Sequence, residues 1–289
     1  MSWPAFLEQQ VSRIASRYER YSPDDLALSR QVFFVLFLLF GLSNFSVAAN
    51  YDPELVVFPS LSPAYFIGQI PSAGFLAFLT VLNVGSALAL VFNWRPMLNT
   101  VLFCLSYVIG RSFVYSYGKV DHYDIFIPVF PLVGMLAGWG QPVRKTFFPV
   151  AGAYFVMAFA IGLVFLTAGI PKLLTGWLSW QDQQVQYVVI NYTYGIEQSH
   201  IGQWMLDTIH SAWAWEVLDW LAVGFECLLI VLIIKPHWFW WGLGACALFH
   251  LANFLMLGIN FFPIFITYAA LLPLSSLVRG IRRKRLAKG

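Results

Sequence analysis

The chain reads as an all-α integral membrane protein, a polytopic helix bundle of about eight transmembrane helices with both termini cytoplasmic. Three observations predict this. Its 289 residues are 59% hydrophobic and only 11% charged, against about 25% charged in soluble domains, and mean hydropathy is +0.70. Eight apolar runs approach the ~20 residues that carry a helix across hydrocarbon. The Lys and Arg residues alternate between rich and poor connecting segments, as the positive-inside rule requires.

Taken in order, residues 1–28 form an N-terminal segment on the cytoplasmic surface. Within it Trp3, Phe6, Leu7, Val11, Ile14 and Ala15 repeat at helical spacing, with Arg13, Arg17 and Arg20 elsewhere on the wheel, the pattern of an amphipathic helix lying on a membrane. This polar start is not a cleavable signal peptide. The transmembrane domain covers 29–278, with spans expected at 29–49, 71–93, 97–117, 122–140, 148–171, 213–234, 238–257 and 260–278. Pro128 and Pro131 interrupt the fourth, which neighbouring helices can tolerate by satisfying the freed carbonyls. Between the fifth and sixth, 172–212 is a long outer loop containing Trp177, Trp180 and Trp204, with Trp213 just beyond. Such aromatics favour the interface, so partly helical, membrane-hugging structure is expected there. Residues 279–289 are a basic cytoplasmic tail.

Charge counting sets the topology. Of 17 Lys and Arg, fourteen fall on one side: the head with Arg30, then Arg95, Arg144, Lys145, Lys235 and the tail. Lys119 and Lys172 fall on the other, and Arg111 lies within a span. The tail beside apolar helices reads as facing lipid headgroups rather than nucleic acid. Cys104, Cys227 and Cys246 show neither a disulfide framework nor zinc spacing, so no metal is expected.

The spans carry too many polar groups for a passive anchor. Arg111, His122, Asp124, Lys172, Glu216, Asp219, Glu226, His250 and Asn253 all map to the outer half of the membrane when counted along their helices. Glu216, Asp219 and Glu226 share one face of the sixth span, and His250 and Asn253 one face of the seventh. Charges at that depth pair or line a wet cavity, so a polar chamber open to the outer face is expected. Plainer readings stand beside this. Lys172 could snorkel and His122 could be an ordinary interfacial residue. His250 could hydrogen-bond Asn253, and Glu226 could pair with Arg111. Asn191-Tyr192-Thr193 matches the glycosylation triplet, and Phe239 to Trp241 read as lipid-facing.

Three stretches then stand out by order and spacing. They are Ala168-Gly169-Ile170-Pro171-Lys172-Leu173 followed by Trp177, Asp121-His122-Tyr123, and Phe249-His250-Leu251 running on to Gly258-Ile259-Asn260-Phe261-Phe262. Together, across roughly 30–275, they resemble the vitamin K-dependent γ-carboxylase and its prokaryotic relatives, the horizontally transferred transmembrane (HTTM) proteins. Asp121 stands where the carboxylase has Asn, and Trp180 where the family commonly has Gly. No large lumenal region follows residue 289, so propeptide recognition of the animal kind is not expected.

The resemblance implies a carboxylase- and epoxidase-like lyase. It would use reduced vitamin K, a menaquinol-type quinone, with O2 and CO2 to carboxylate a secreted peptide or protein. Lys172 would be the base, and His122 and His250 would pass the proton onward. Asp121, Arg111, Trp177, Glu216, Asp219 and Asn253 would bind substrate or quinone. An amine must be neutral to act as a base, and removal from water favours the neutral form. The implied partners are the bilayer and an isoprenoid quinone, in a bacterial inner membrane (or the ER of a eukaryote), with the site facing the periplasm or lumen. Two other function classes fit the same chamber: a transporter or channel-like protein, and a non-catalytic membrane partner in peptide maturation.

Overall fold

A computed structural model describes residues 9, 21–60, 62–117, 124, 126–139, 150–180, 182–196, 200–233, 236–257 and 262–275. Among them every regular element is helical. Five segments are long and apolar enough to cross a membrane: Pro23–Asn50, Ala73–Val91, Pro96–Val114, Val150–Leu174 and Trp238–Leu257. The chain divides into two compact units, Met1–Met157 with Ala269–Gly289, and Ala158–Tyr268.

In the first unit, α1 (Pro23–Leu36) starts earlier than the expected 29 because Ser22 and Asp25 form a reciprocal capping box and Pro23 opens the first turn. Asp25 is fully buried and also accepts from the backbone N of Ser275 at 2.8 Å. The helix continues as a π-turn, Phe37–Gly41, then breaks before a 3₁₀ turn at Phe45–Asn50. A short α2 (Pro63–Ile67) follows. Next come α3 (Ala73–Val91) and α4 (Pro96–Val114), which Asn83 joins by donating to Phe103 O and Ser106 Oγ, each at 3.1 Å. Gly110 lets the Phe45 ring lie against α4, since a Cβ there would collide with it. The expected fourth span appears as α5 (Phe126–Leu136), eleven residues with Pro131 inside. Rings fill the core: Phe33 stacks on Phe130 at 4.9 Å, and Phe34 meets Phe103 edge-on at 5.1 Å.

The α6 helix (Val150–Leu174) contains Pro171 and places Lys172 in its last turn, so the lysine ends the helix rather than starting the loop. The second unit, which takes α6 from Ala158 onward, includes the loop helices α7 (Gln184–Asn191) and α8 (His200–Thr208). The loop is therefore partly helical, as its composition suggests. Val189 and Met205 of the loop pack in one buried cluster with Trp215 and Leu257, while Trp180, Trp204 and Trp213 stay exposed. The expected sixth span is α9 (Ala212–Ile233), 22 residues long with Glu216, Asp219 and Glu226 buried. These three acids set it apart from the five apolar segments. The seventh is α10 (Pro236–Leu257). For the eighth, α11 (Phe262–Ala270) spans nine residues. Residues 118–123, 140–149, 258–261 and 276–289, which flank the fourth and eighth, lie outside the described residues. So do most of 1–20 and the tail.

Candidate active site

The lysine is held by the approach of α6 to α9. A Cβ added to Gly169 would meet Cys227 Sγ at 2.5 Å and Glu226 Cβ at 3.1 Å, and one added to Gly162 would meet Ile233 Cδ1 at 2.5 Å. The two glycines are seven residues apart and so share a face. They form the small-residue seam by which apolar helices come close. One turn beyond Gly169, Lys172 Nζ donates to Glu226 Oε1 at 2.5 Å. The ammonium also lies 4.7 Å from the centroid of the Trp177 ring, a cation–π contact worth about 0.5–2 kcal/mol. Lys172 thus does not merely snorkel, and Glu226 pairs with it rather than with Arg111.

His250 lies in the same unit, buried on α10. Its Nδ1 is 2.8 Å from Cys246 O, one turn back, and its ring is edge-on to Phe165 at 5.4 Å and Tyr268 at 6.2 Å. Asn253 is half-buried, and the carbonyl of its own helix is the nearer partner for the imidazole.

Asp219 is fully buried. Its two carboxylate oxygens accept the backbone N–H groups of Gln184 at 2.9 Å and Val185 at 2.6 Å. Gln183 supplies no side-chain cap to α7, so Asp219 caps that helix from across the unit, where negative charge also meets the positive end of the helix dipole. Glu216 accepts from Trp220 Nε1 at 2.7 Å, and its other oxygen is buried without a partner among the described residues. A cleft of about 370 Å³ lies on α7, lined by Asp182, Gln183, Gln184, Gln186, Tyr187 and Ile190. None of these is a residue expected at the site.

In the first unit, Arg111 and Asp124 form a separate ion pair. Arg111 Nε donates to Asp124 Oδ2 at 2.6 Å, and Arg111 Nη2 and Tyr115 Oη donate to the same oxygen. Tyr107 Oη donates to Oδ1 at 2.8 Å, and the guanidinium sits 4.7 Å over the Tyr115 ring. Asp121 and His122 lie outside the described residues.

The structure thus gathers Lys172, Trp177 and Glu226 at one point, and ties Asp219 to the start of α7. In the sequence Glu226 stood out as a buried acid on the face of Glu216 and Asp219, with Arg111 as its possible partner. Searches against protein-family models, curated proteins and solved structures return no match to this chain.

Proposed function

We propose that this chain is a membrane enzyme of the vitamin K-dependent carboxylase-like (HTTM) kind, in which Lys172 accepts a proton from a reduced, menaquinol-type quinone. The observation that carries the reading is the Lys172–Glu226 contact beside the Trp177 ring. The three motif segments support the family. A lysine acting as a base needs a free amine. A proton passing from Nζ to Oε1 leaves an amine and a carboxylic acid, and so places no net charge in surroundings where charge is costly. That amine can then take a proton from a substrate hydroxyl. A reduced quinone would supply this hydroxyl and, with O2, the strong base that opens a carbon acid to CO2.

Leu173, Leu174 and Leu178 are exposed around the lysine and offer an apolar surface for an isoprenoid tail. His250, buried in the same unit, is the candidate for passing the proton on. In the same proposal α5, α9 and α11 belong to three further crossings, giving eight with both termini cytoplasmic. Lys172 then faces the periplasm or lumen, where a secreted peptide or protein would be the acceptor.

Purified protein in lipid nanodiscs, given reduced menaquinone and oxygen, is expected to form quinone epoxide. Lys172→Ala is expected to abolish this with helicity intact by circular dichroism. Turnover absent from the unmodified protein, or equal in both proteins, would overturn the proposal. Solute flux in vesicles that ignores quinol would point to a transporter instead.

A further inference from the structure

The cleft along α7 has no part in the lysine site. It holds about 370 Å³, a size that suits a small ligand. Gln183, Gln186, Tyr187 and Ile190 line it at spacings of three and four, one face of the helix, with Asp182 and Gln184 beside its first turn. Gln183 Nε2 donates to Trp180 O at 3.5 Å. The side chains of Asp182, Gln184, Gln186 and Tyr187 make no hydrogen bond among the described residues. Asp182 is exposed, and so are Tyr187 and Ile190. The lining thus runs from a carboxylate through amides to a phenol ring and an aliphatic side chain.

Its charge disfavours an anion. From Leu173 to Ser211 the chain has three acids, Asp182, Glu197 and Asp207, and no Lys or Arg. The leading backbone N–H groups of α7, at Gln184 and Val185, are already taken by Asp219. A phosphate or carboxylate there meets neither a cation nor a free helix start. A cation meets a carboxylate for a charge-assisted hydrogen bond and a ring face for a cation–π contact. The amides both donate and accept, which matches a peptide main chain that does the same. Helix α7 has eight residues and so is about 12 Å long, the reach of roughly three or four extended residues.

We infer that the α7 cleft binds a short peptide segment by its Lys or Arg side chain. Asp182 and the Tyr187 ring take the charge, the Gln184 and Gln186 amides take the main chain, and Ile190 meets an apolar neighbour. Asp219, which holds the start of α7, is seven residues from Glu226 on α9, about 10 Å along the helix. A segment in the cleft therefore lies within a few extended residues of Lys172. For the proposed enzyme this makes the acceptor a basic peptide, a link that rests on that reading. The binding itself does not, since the cleft shares no residue with the Lys172 contact.

The test is fluorescence anisotropy on the full chain in phosphatidylcholine nanodiscs. The probes are an end-labelled lysine–serine–leucine tripeptide and the same peptide with glutamate for lysine. The lysine peptide is expected to bind about tenfold more tightly. Asp182→Asn is expected to remove most of that preference, and Tyr187→Ala to weaken the lysine peptide about threefold. Asp207→Asn, an acid of the same loop outside the cleft, is expected to leave binding unchanged. Equal binding of the two peptides, no binding of either, or equal losses in Asp182→Asn and Asp207→Asn overturn the inference. So does loss of peptide binding when phosphatidylethanolamine replaces part of the lipid, which gives the cleft to a lipid headgroup. Binding is read without turnover, so a protein that binds the lysine peptide and forms no quinone epoxide sinks the enzyme reading alone.

Discussion

The two ion pairs among the described residues are similarly buried and differently finished. Side-chain exposure is 17% and 7% for Arg111 and Asp124, against 23% and 11% for Lys172 and Glu226, so burial does not distinguish them. Saturation does. Asp124 takes hydrogen bonds from two tyrosines and two guanidinium nitrogens, which spreads its charge over a fixed cage. Lys172 has three N–H donors, and among the described residues it gives one to a single carboxylate oxygen and rests on one ring. The first pair is built to stay. The second is the less saturated.

That contrast can be broken by mutation. The largest effect is expected from Lys172→Ala, a fall of about 10²–10⁴-fold in quinol-dependent turnover with a lowered thermal midpoint that Glu226→Gln added to it restores. Arg111→Ala should spare turnover. Stranding Asp124 costs about 3–5 kcal/mol, read as a lowered midpoint. If the two variants behave alike, the distinction fails. Glu226→Gln keeps the shape but removes the proton acceptor, and is expected to slow turnover by about 10–100-fold with folding retained. Gly169→Ala pushes α6 from α9. The overpacking should cost about 1–3 kcal/mol and separate Lys172 from Glu226, so activity falls with stability. Asp219→Asn leaves one acceptor where two backbone N–H groups each need one, a cost of about 1–3 kcal/mol seen as faster proteolytic cutting within 182–196 and not as lost turnover.

How much of this was legible follows from the range of the forces involved. The second, third, fifth and seventh expected spans correspond to helices within a few residues, because length and apolar content are local properties. The start of α1 was also written locally, in Ser22, Pro23 and Asp25, but it precedes the apolar run and so escapes a reading by hydropathy. The loop was legible as helical and aromatic. Asp219 as the cap of α7 was not, since 34 residues separate it from the Val185 N–H that it accepts. His250 was placed correctly as a buried histidine, while its bond to the Cys246 carbonyl one turn back was not singled out in the sequence.

Composition and periodicity alone determined that this is a helical protein made for a membrane, and which few side chains would be uncomfortable in it. Only the tertiary structure decided who answers each of them: Glu226 for Lys172, Asp124 for Arg111, two backbone amides for Asp219, an asparagine for Arg30. The reason is geometric. Hydrophobicity is a sum along the chain, whereas a hydrogen bond depends on the rotation and spacing of two helices, and at α6 and α9 that spacing turns on a missing side chain at Gly169.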